Sequence, residues 1–347
     1  MGIRRTIDLR NRRNVDLRPF IDLLRHSQTP IGNLADLLGT RVQACDSAGE
    51  ILREHPMYVA TLLTSPANPT LEPALVENLR NAWGGGDADW LALNEAAEFS
   101  LEKLPSNQWD VWSDLQGLGV DLVIQPAERR KKKMLLADMD STMIQQECID
   151  ELADEAGVGE RVKEITAKAM NGELDFEEAL IERVGLLKGL PETVIDKVLA
   201  ERITLMPGGV SLLATMKANG AYAGLVSGGF TAFTSHIAAV LGFDENRANT
   251  LMVADGQLTG EAGRPILGRE AKVQALEEIT TKLGISETDV IAVGDGANDL
   301  GMLKRAGSGV ALHAKPSVAA ECEIRIIHGD LTALLYVQGY KKADFFA

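Results

Sequence analysis

Short apolar runs alternate with amphipathic helical patterns over the second part of the chain, from residue 134 onward. The apolar runs lie at Met134–Ala137, Tyr222–Val226, Val290–Val293, Gly309–Leu312 and Ile324–Ile327. Helical patterns separate them, at Val210–Asn219, Lys272–Leu283 and Leu300–Ala306. Strands that alternate with helices in this way predict an α/β fold, in which helices cover both faces of a doubly wound parallel sheet.

One segment interrupts this alternation. More than eighty residues separate Ala137 from the strand predicted at Tyr222, although a crossover needs only about a dozen. The intervening residues 144–205 have an almost wholly helical pattern, in the segments Cys148–Ala156, Glu160–Met170, Phe176–Leu187 and Glu192–Arg202. This pattern predicts a four-helix insertion, or cap, that lies over the carboxyl edge of the sheet.

The residues before the parallel sheet predict a separate, smaller domain at 56–128. Tyr58–Thr64 and Val120–Ile124 have the apolar pattern of strands, and Leu71–Trp83 has that of an amphipathic helix. All four tryptophans lie in this region, where they favour a hydrophobic core over a ligand platform. We therefore expect a small α+β domain here.

Two further segments complete the predicted organisation. Residues 1–55 carry short helical patterns and form an N-terminal extension, for which we expect partly helical or disordered structure. The basic run at 129–133 precedes a buried strand in an acidic chain, which favours a solvated linker over a nucleic-acid patch. The second domain is then 134–347, with the cap at 144–205.

The composition of the chain narrows the classes of function. Its 347 residues include 35 Lys and Arg against 50 Asp and Glu, a formal net charge of −15, which argues against a nucleic-acid partner. No apolar run approaches the ~18 residues that span a membrane. The three scattered cysteines indicate neither a disulfide framework nor a zinc ribbon. We expect a cytoplasmic protein, and the sequence leaves open whether it forms a homodimer.

Reactive side chains follow the predicted strands, at the edge where parallel sheets bind their ligands. They are Asp138 and Asp140 after the first strand, Ser227, Gly228 and Gly229 after the second, Lys272 at the start of a helix, and Asp295, Asn298 and Asp299 after a later strand. Four carboxylates at one edge repel one another unless a cation neutralises them. Carboxylate oxygens suit a hard divalent cation, of which Mg²⁺ is the first choice.

Phosphoryl transfer to a carboxylate accounts for this set of residue types. Asp138 suits a nucleophile that forms an aspartyl-phosphate, and Asp140 suits a general acid and base. Ser227 and the backbone N–H groups of the two glycines after it suit an anion cradle before a helix, while Lys272 supplies positive charge. Each motif alone has a plainer explanation, such as a helix cap or a turn. All of the motifs occur in sequence at the ends of predicted strands, and this arrangement favours the catalytic explanation.

These motifs resemble those of the haloacid dehalogenase superfamily of phosphohydrolases, and residues 134–330 resemble its phosphoserine phosphatase branch. The resemblance rests on Asp138–Thr142, Ser227–Gly229, Lys272 and Gly294–Asp299. It implies a Rossmann-like core with a nucleophile at Asp138 and a general acid/base at Asp140. It further implies Mg²⁺ on the Asp138 carboxylate, the Asp140 backbone carbonyl and Asp295, with Asp299 supporting, and phosphate on Ser227 and Lys272 beside Asn298.

The resemblance extends to the helical cap. It implies that Glu147 pairs with the ammonium group of an amino-acid substrate and that Arg183 grips its carboxylate, as a bidentate guanidinium can. It also implies that Met170 and Phe176 shield the site from water. Without the resemblance, the two charged residues would be read as solvated helix-surface groups, and the two apolar ones as ordinary packing.

The reaction that the resemblance implies is the Mg²⁺-dependent hydrolysis of O-phospho-L-serine to L-serine and phosphate, the final step of serine biosynthesis. A related phosphotransferase, or a hydrolase of another small phosphomonoester, would use the same chemistry. A signalling receiver that accepts phosphate at Asp138 is a different class, but it needs no 60-residue lid. A third alternative is an amino-acid sensor that acts through residues 57–125, which distantly resemble a regulatory module of the ACT type.

Overall fold

The computed structural model of the protein describes residues 58–170 and 174–347, so the predictions for residues 1–55 lie outside the described residues. The strands are β1 Tyr58–Thr64, β2 Asp89–Ala92, β3 Ala96–Leu101, β4 Val120–Pro126, β5 Met134–Ala137, β6 Tyr222–Phe230, β7 Glu245–Asn249, β8 Leu251–Ala254, β9 Gln257–Ala262, β10 Val290–Gly294, β11 Ser308–Leu312 and β12 Ile324–Ile326.

The helices surround these strands. They are α1 Pro73–Trp83, α2 Gln108–Gln116, α3 Cys148–Glu155, α4 Gly159–Met170, α5 Phe176–Gly185, α6 Val194–Glu201, α7 Gly209–Ala218, α8 Thr231–Leu241, α9 Arg269–Leu283, α10 Leu300–Arg305, α11 Pro316–Ala319 and α12 Ala333–Val337. Among the described residues, no helix has both the length and the apolarity that crossing a bilayer requires.

Six parallel strands form the central sheet, in the order β12-β11-β10-β5-β6-β7. The chain leaves β5 toward β6 and β7 on one side, and later fills the other side with β10, β11 and β12. This reversal places a crevice at the carboxyl ends of β5 and β10, where open α/β sheets bind ligands. The predicted parallel α/β sheet is confirmed.

The central strands are apolar at every position because both faces of the sheet are covered. In β5, Leu135 and Ala137 belong to one hydrophobic core, while Met134 and Leu136 belong to a second core on the opposite face. Strand β10 divides in the same way between the two faces. Successive side chains of a strand point to opposite faces, so a sheet with two cores selects an unbroken apolar run.

Four helices, α3 to α6, lie between β5 and β6 in the chain, and their bounds fall within two residues of the predicted cap helices. Helix α5 begins after Asp175, whose side chain accepts the backbone N–H of Glu177 as an N-cap. An isolated bridge between Ile144 and Leu205 brings the two ends of the insertion together. A second isolated bridge, between Pro191 and Gln257, joins the cap to strand β9, so the cap is held at more than its base.

Residues 58–126, which we call the N-terminal module, form an antiparallel sheet in the order β2-β3-β1-β4. Helices α1 and α2 supply residues such as Leu79 and Val111 to its own core, where Phe99 is almost fully buried. Edge strand β4 packs against β12 of the central sheet. Asp121 of β4 is fully buried at this contact, and its carboxylate accepts the backbone N–H groups of Ile327, His328 and Gly329 at 2.9, 2.9 and 2.8 Å.

Candidate active site

Asp138 lies directly after β5, at the point where the direction of strand addition in the sheet reverses. Its backbone N–H donates to the carbonyl of Val293 at 3.0 Å, which extends the pairing of β5 with β10 by one residue. The side chain is 5% exposed, and its Oδ1 accepts the backbone N–H of Met139 at 2.8 Å. The end of a rigid buried strand thus holds the carboxylate in one orientation.

Lys272 is the cation of this site. It lies in the first turn of α9, which begins at Arg269 and therefore earlier than predicted. Its Nζ lies 2.8 Å from Oδ1 of Asp138 and 2.6 Å from Oδ1 of Asp299. Burial by itself lowers the pKa of this ammonium, but the two carboxylates outweigh burial and raise the pKa above its ordinary value. Lys272 is therefore a permanent positive charge.

A third carboxylate joins the two that contact the lysine. Asp138, Asp295 and Asp299 can each offer an oxygen within 4.8 Å of the others. Burial raises the pKa of Asp138 well above its usual range, and repulsion from Asp299 adds to the rise. Burial and the same neighbour raise the pKa of Asp295 to about 6. Close approach of Asp299 requires glycine at position 294, since a Cβ there would lie 2.4 Å from Cγ of Asp299.

The charges and donor atoms of this cluster fit a hard divalent cation. Three carboxylates lie around the ammonium group of Lys272, with Lys315 near enough to lower the pKa of Asp295, and oxygen is the ligand that Mg²⁺ and Ca²⁺ prefer. The oxygens of Asp299 are already engaged, one by Lys272 and the other by the backbone N–H of Gly296 at 2.9 Å. Asp138 and Asp295 retain free lone pairs, so they are the stronger candidate ligands and Asp299 the supporting one.

Asp140 is held by two donors from different parts of the chain. Its Oδ1 accepts the backbone N–H of Cys148 at 2.8 Å, and its Oδ2 accepts the hydroxyl of Ser227 at 3.1 Å. Cys148 is the first residue of α3, whose N-terminal N–H groups have no partner within the helix. Burial raises the pKa of Asp140 although both hydrogen bonds lower it. A carboxyl group whose pKa is raised is suited to carry a proton.

The segment Ser227–Gly229, predicted as an anion cradle between a strand and a helix, lies inside a strand that is longer than predicted. Strand β6 continues through it to Phe230, and α8 begins only at Thr231. The backbone N–H of Gly229 donates to the hydroxyl of Ser227 at 2.8 Å, so one of the two predicted glycine donors is engaged within the protein. A Cβ on Gly229 would lie 2.5 Å from Oδ2 of Asp140, which explains the glycine.

Two cap residues, Glu147 and Phe176, lie close to this edge. Glu147 accepts the hydroxyl of Ser141 at 2.7 Å. Although its side chain reaches solvent, the protein that crowds it and the charge of Asp140 raise the pKa of Glu147 to about 7. The ring of Phe176 covers Gly228, with Cζ 3.1 Å from the position that a Cβ would take there. The cap therefore contacts the carboxyl edge of the sheet directly.

The remaining predicted residues have different placements. Arg183 of α5 donates from Nε to the carbonyl of Ala179 at 3.1 Å and from Nη1 to the hydroxyl of Thr166 at 3.4 Å. Within residues 58–170 and 174–347, no carboxylate forms an ion pair with Arg183. The amide nitrogen of Asn298 lies 4.0 Å from the position of a Cβ on Gly228. The side chain of Met170, at the end of α4, lies outside the described residues.

Sequence reasoning missed two contributors to this site. Thr142 is fully buried and donates its hydroxyl to Oδ1 of Asp295 at 3.4 Å. Cys148 is buried, and its backbone N–H is a donor to Asp140. The signal for the second was available, because the first residues of a helix offer free N–H groups wherever the helix begins.

Comparisons with known proteins agree with this geometry. The haloacid dehalogenase-like hydrolase profile matches residues 135–304. A phosphoserine phosphatase from Streptococcus thermophilus is 44% identical over 206 residues, which are 59% of this chain and 95% of that protein. The chain belongs to the phosphoserine phosphatase family of haloacid dehalogenase-like hydrolases. Family membership supplies the fold and the motifs, whereas the placement of each side chain comes from the structure.

Other members of the family extend over different parts of the chain. A phosphoserine phosphatase from Streptomyces coelicolor is 42% identical over 67% of this chain and 57% of its own length. The chain spans about three fifths of the length of several such curated relatives. The structure of a haloacid dehalogenase hydrolase from Salmonella enterica serovar Typhi covers 81% of this chain and 98% of its own, with 32% identity and a TM-score of 0.73.

Proposed function

We propose that the chain is a Mg²⁺-dependent phosphoserine phosphatase, which hydrolyses O-phospho-L-serine to L-serine and inorganic phosphate in the final step of serine biosynthesis. The observation that carries the proposal is the pair of carboxylates at the carboxyl end of β5, of which Asp138 is buried and Asp140 partly buried. Asp138 is fixed by Lys272, and Asp140 is fixed by Ser227 and the N-terminus of α3. Curated relatives that match the chain bear the name phosphoserine phosphatase.

The hydrogen bonds of Asp138 identify its attacking atom. Oδ1 accepts from Met139 and Lys272, which leaves Oδ2 free to attack phosphorus. The attack forms an aspartyl-phosphate while Asp140 donates a proton to the departing serine oxygen. Asp140 then removes a proton from the water that attacks the aspartyl-phosphate, and Asp138 is regenerated as phosphate leaves. Lys272 faces the phosphate oxygens as the charge on them develops.

The metal site of the proposal consists of the Asp138 carboxylate, the Asp140 backbone carbonyl and Asp295, with Asp299 supporting. When bound, Mg²⁺ supplies positive charge that offsets the clustered carboxylates and the phosphate oxygens. Thr142 orients Asp295 through its hydroxyl, and Gly296 orients Asp299 through its N–H. These outer contacts keep the carboxylates close together in spite of their mutual repulsion.

The amino-acid part of the substrate is assigned to the cap. Glu147 takes the substrate ammonium group, Arg183 takes the carboxylate, and Met170 and Phe176 exclude water. The absence of an ion pair on Arg183 among the described residues supports this role, because a partly buried guanidinium gains most from a carboxylate that is not already shared. Ser227, Gly228 and Asn298 complete the phosphate side of the pocket.

Phosphate release from O-phospho-L-serine in the presence of Mg²⁺ tests the proposal. We expect release by the natural chain and its near-complete loss in Asp138→Asn. The matched control is Asp196→Asn, which removes a carboxylate from the exposed face of cap helix α6. If the natural chain releases no phosphate, or if Asp138→Asn releases it undiminished, the hydrolase proposal is wrong.

Substrate choice separates the proposal from a phosphatase of other small phosphomonoesters. Arg183→Ala should lower kcat/KM for phosphoserine by at least about tenfold more than for p-nitrophenyl phosphate, which has no carboxylate. Arg161→Ala, on the exposed surface of α4, is the control. Equal losses on both substrates would show that Arg183 does not recognise the amino-acid part of the substrate.

A homodimer and a cytoplasmic location stay predictions, which analytical ultracentrifugation and cell fractionation test.

A further inference from the structure

A cavity of about 440 Å³ lies where the N-terminal module, the linker and the central sheet meet. Ser308, the first residue of β11, and Ile324, the first residue of β12, are part of its wall. The cavity therefore opens at the amino edge of the sheet, opposite the carboxyl edge that holds Asp138. None of the residues assigned above to catalysis or substrate binding lines it.

Three separate parts of the chain build the walls. Tyr58, Gln108 and Ile124 come from the module, while Leu303 and Ala306 come from the end of α10 in the central domain. In the linker between them, Arg129, Lys131 and Lys133 are exposed, while the other two residues make contacts that hold it in place. Arg130 forms a bidentate pair with Glu98 at 2.6 and 3.0 Å, and Lys132 donates its Nζ to the carbonyl of Thr288 at 2.9 Å. These contacts fix the walls of the cavity.

Positive charge from the linker faces this cavity, whose wall also includes the carboxylates of Glu128, Glu321 and Glu323. Within the described residues no carboxylate lies at ion-pair distance from Arg129, and the ammonium of Lys132 is bonded to a neutral carbonyl. Burial lowers the pKa of Lys132, and the nearby charge of Arg129 lowers it further although Asp289 opposes the change. Two neighbouring cations that lack a carboxylate at ion-pair distance favour an anion between them. The other lining cations, Arg130 and Lys304, already pair with Glu98 and Glu321.

We propose that this cavity binds a small organic anion, with its carboxylate or phosphate group on Arg129 and Lys132 and its apolar part against Tyr58 and Ile124. The volume lies in the range of small-molecule sites, which favour the junctions between domains. An anion here also joins the module to the central domain, because its two binding partners belong to the linker and its apolar walls to both sides.

Tryptophan fluorescence reports on this cavity and not on the active site. All four tryptophans lie at positions 83 to 112 of the module, and Gln108 beside Trp109 lines the cavity. We would titrate the full chain with benzoate and with phenylphosphonate, which is not hydrolysed, and use benzyl alcohol as the neutral probe. We expect a saturable change with at least one anion, and the tighter of the two identifies the preferred group.

Variants decide whether the signal comes from this site. Arg129→Ala with Lys132→Ala should weaken the anion by about tenfold or more, and Ala306→Phe should abolish its binding by filling the cavity. Lys131→Ala, which removes a charge that stacks on Tyr340 at 4.4 Å, should leave binding unchanged. The proposal is overturned if neither anion gives a saturable change, if benzyl alcohol gives the same one, or if binding survives in the double variant. Phosphatase activity enters none of these measurements.

Discussion

Two groups of buried carboxylates in this molecule have opposite surroundings. Asp121, between the N-terminal module and β12, accepts three backbone N–H groups, and the nearby His328 also lowers its pKa. Asp138, Asp295 and Asp299, at the carboxyl edge of the sheet, lie close together around Lys272, which pairs with two of them. Both arrangements bury negative charge, and only the first is complete without a further ion.

The difference separates a carboxylate that holds the structure together from carboxylates that are set to react. Burial raises the pKa of Asp121, but each backbone donor lowers it again. At the catalytic edge the second influence on Asp138, after burial, is another carboxylate, which raises the pKa further. Incompletely compensated charge is costly to a fold and is found where function needs it.

Asp138→Asn should lower phosphoserine turnover by more than about 10³-fold, because the nucleophile is lost. The same change should not lower the thermal unfolding temperature, since it removes one of three mutually repelling carboxylates. Steady-state phosphate release and a thermal melt measure the two effects on one sample. A variant that loses activity because it unfolds would contradict the contrast.

Chelation of divalent cations should reduce turnover to background, and added Mg²⁺ should restore it, because the three-carboxylate cluster requires added positive charge. A metal at about 100 times its Kd should also raise the free energy of unfolding by about 2.7 kcal/mol. Denaturant melts with and without chelator measure this change. Full activity after exhaustive chelation would show that Lys272 alone compensates the cluster.

Asp121→Ala should lower the free energy of unfolding by about 3 kcal/mol, because three buried N–H groups lose an ionised acceptor. Phosphoserine kcat should change little, since Asp121 lies outside the catalytic edge. Asp87→Ala, at a fully exposed position of the same module, is the control. A loss below about 1 kcal/mol, measured by urea unfolding, would mean that the three donors find other partners.

Lys341→Ala should change the free energy of unfolding by no more than about 0.5 kcal/mol. Its ammonium lies 2.8 Å from Asp89 of β2, and both side chains are about half exposed. This pair also links the C-terminal segment to the module, but water already solvates its charges. If Lys341→Ala lowers the free energy of unfolding as much as Asp121→Ala does in the same urea experiment, buried and exposed contacts of the module do not differ in their contribution to stability.

The central sheet was the most predictable part of the fold. Strand β5 has the predicted bounds, and β10 differs by one residue, because a strand that is buried on both faces must be apolar throughout. The same reasoning placed Asp138 and Asp295 at one edge, where the structure has them. Lys272 was found through its motif, and its contact with Asp299 could be seen only once α9 was in place.

Other elements carried no comparable signal. Strand β7 has the polar sequence Glu-Asn-Arg-Ala-Asn at an edge of the sheet, where few side chains need to be buried. The pair β2 and β3 was missed because its strands are short and partly exposed. Ser227–Gly229 resembled a turn in composition, yet it continues a strand. Asp121 had no signal at all, since its three partners lie more than 200 residues away in the chain.

Helix α10 runs between the two sites described above. Asp299, its N-cap residue, belongs to the carboxylate cluster, while Leu303 and Ala306 at its other end line the cavity at the amino edge. Six helical residues span about 9 Å, so the two places are joined by a short rod. If an anion in the cavity displaces this rod, the position of Asp299 beside Lys272 changes with it. Thermodynamic linkage then requires reciprocity. The factor by which the anion changes the affinity for phosphate at the carboxyl edge equals the factor by which phosphate changes the affinity of the cavity for the anion.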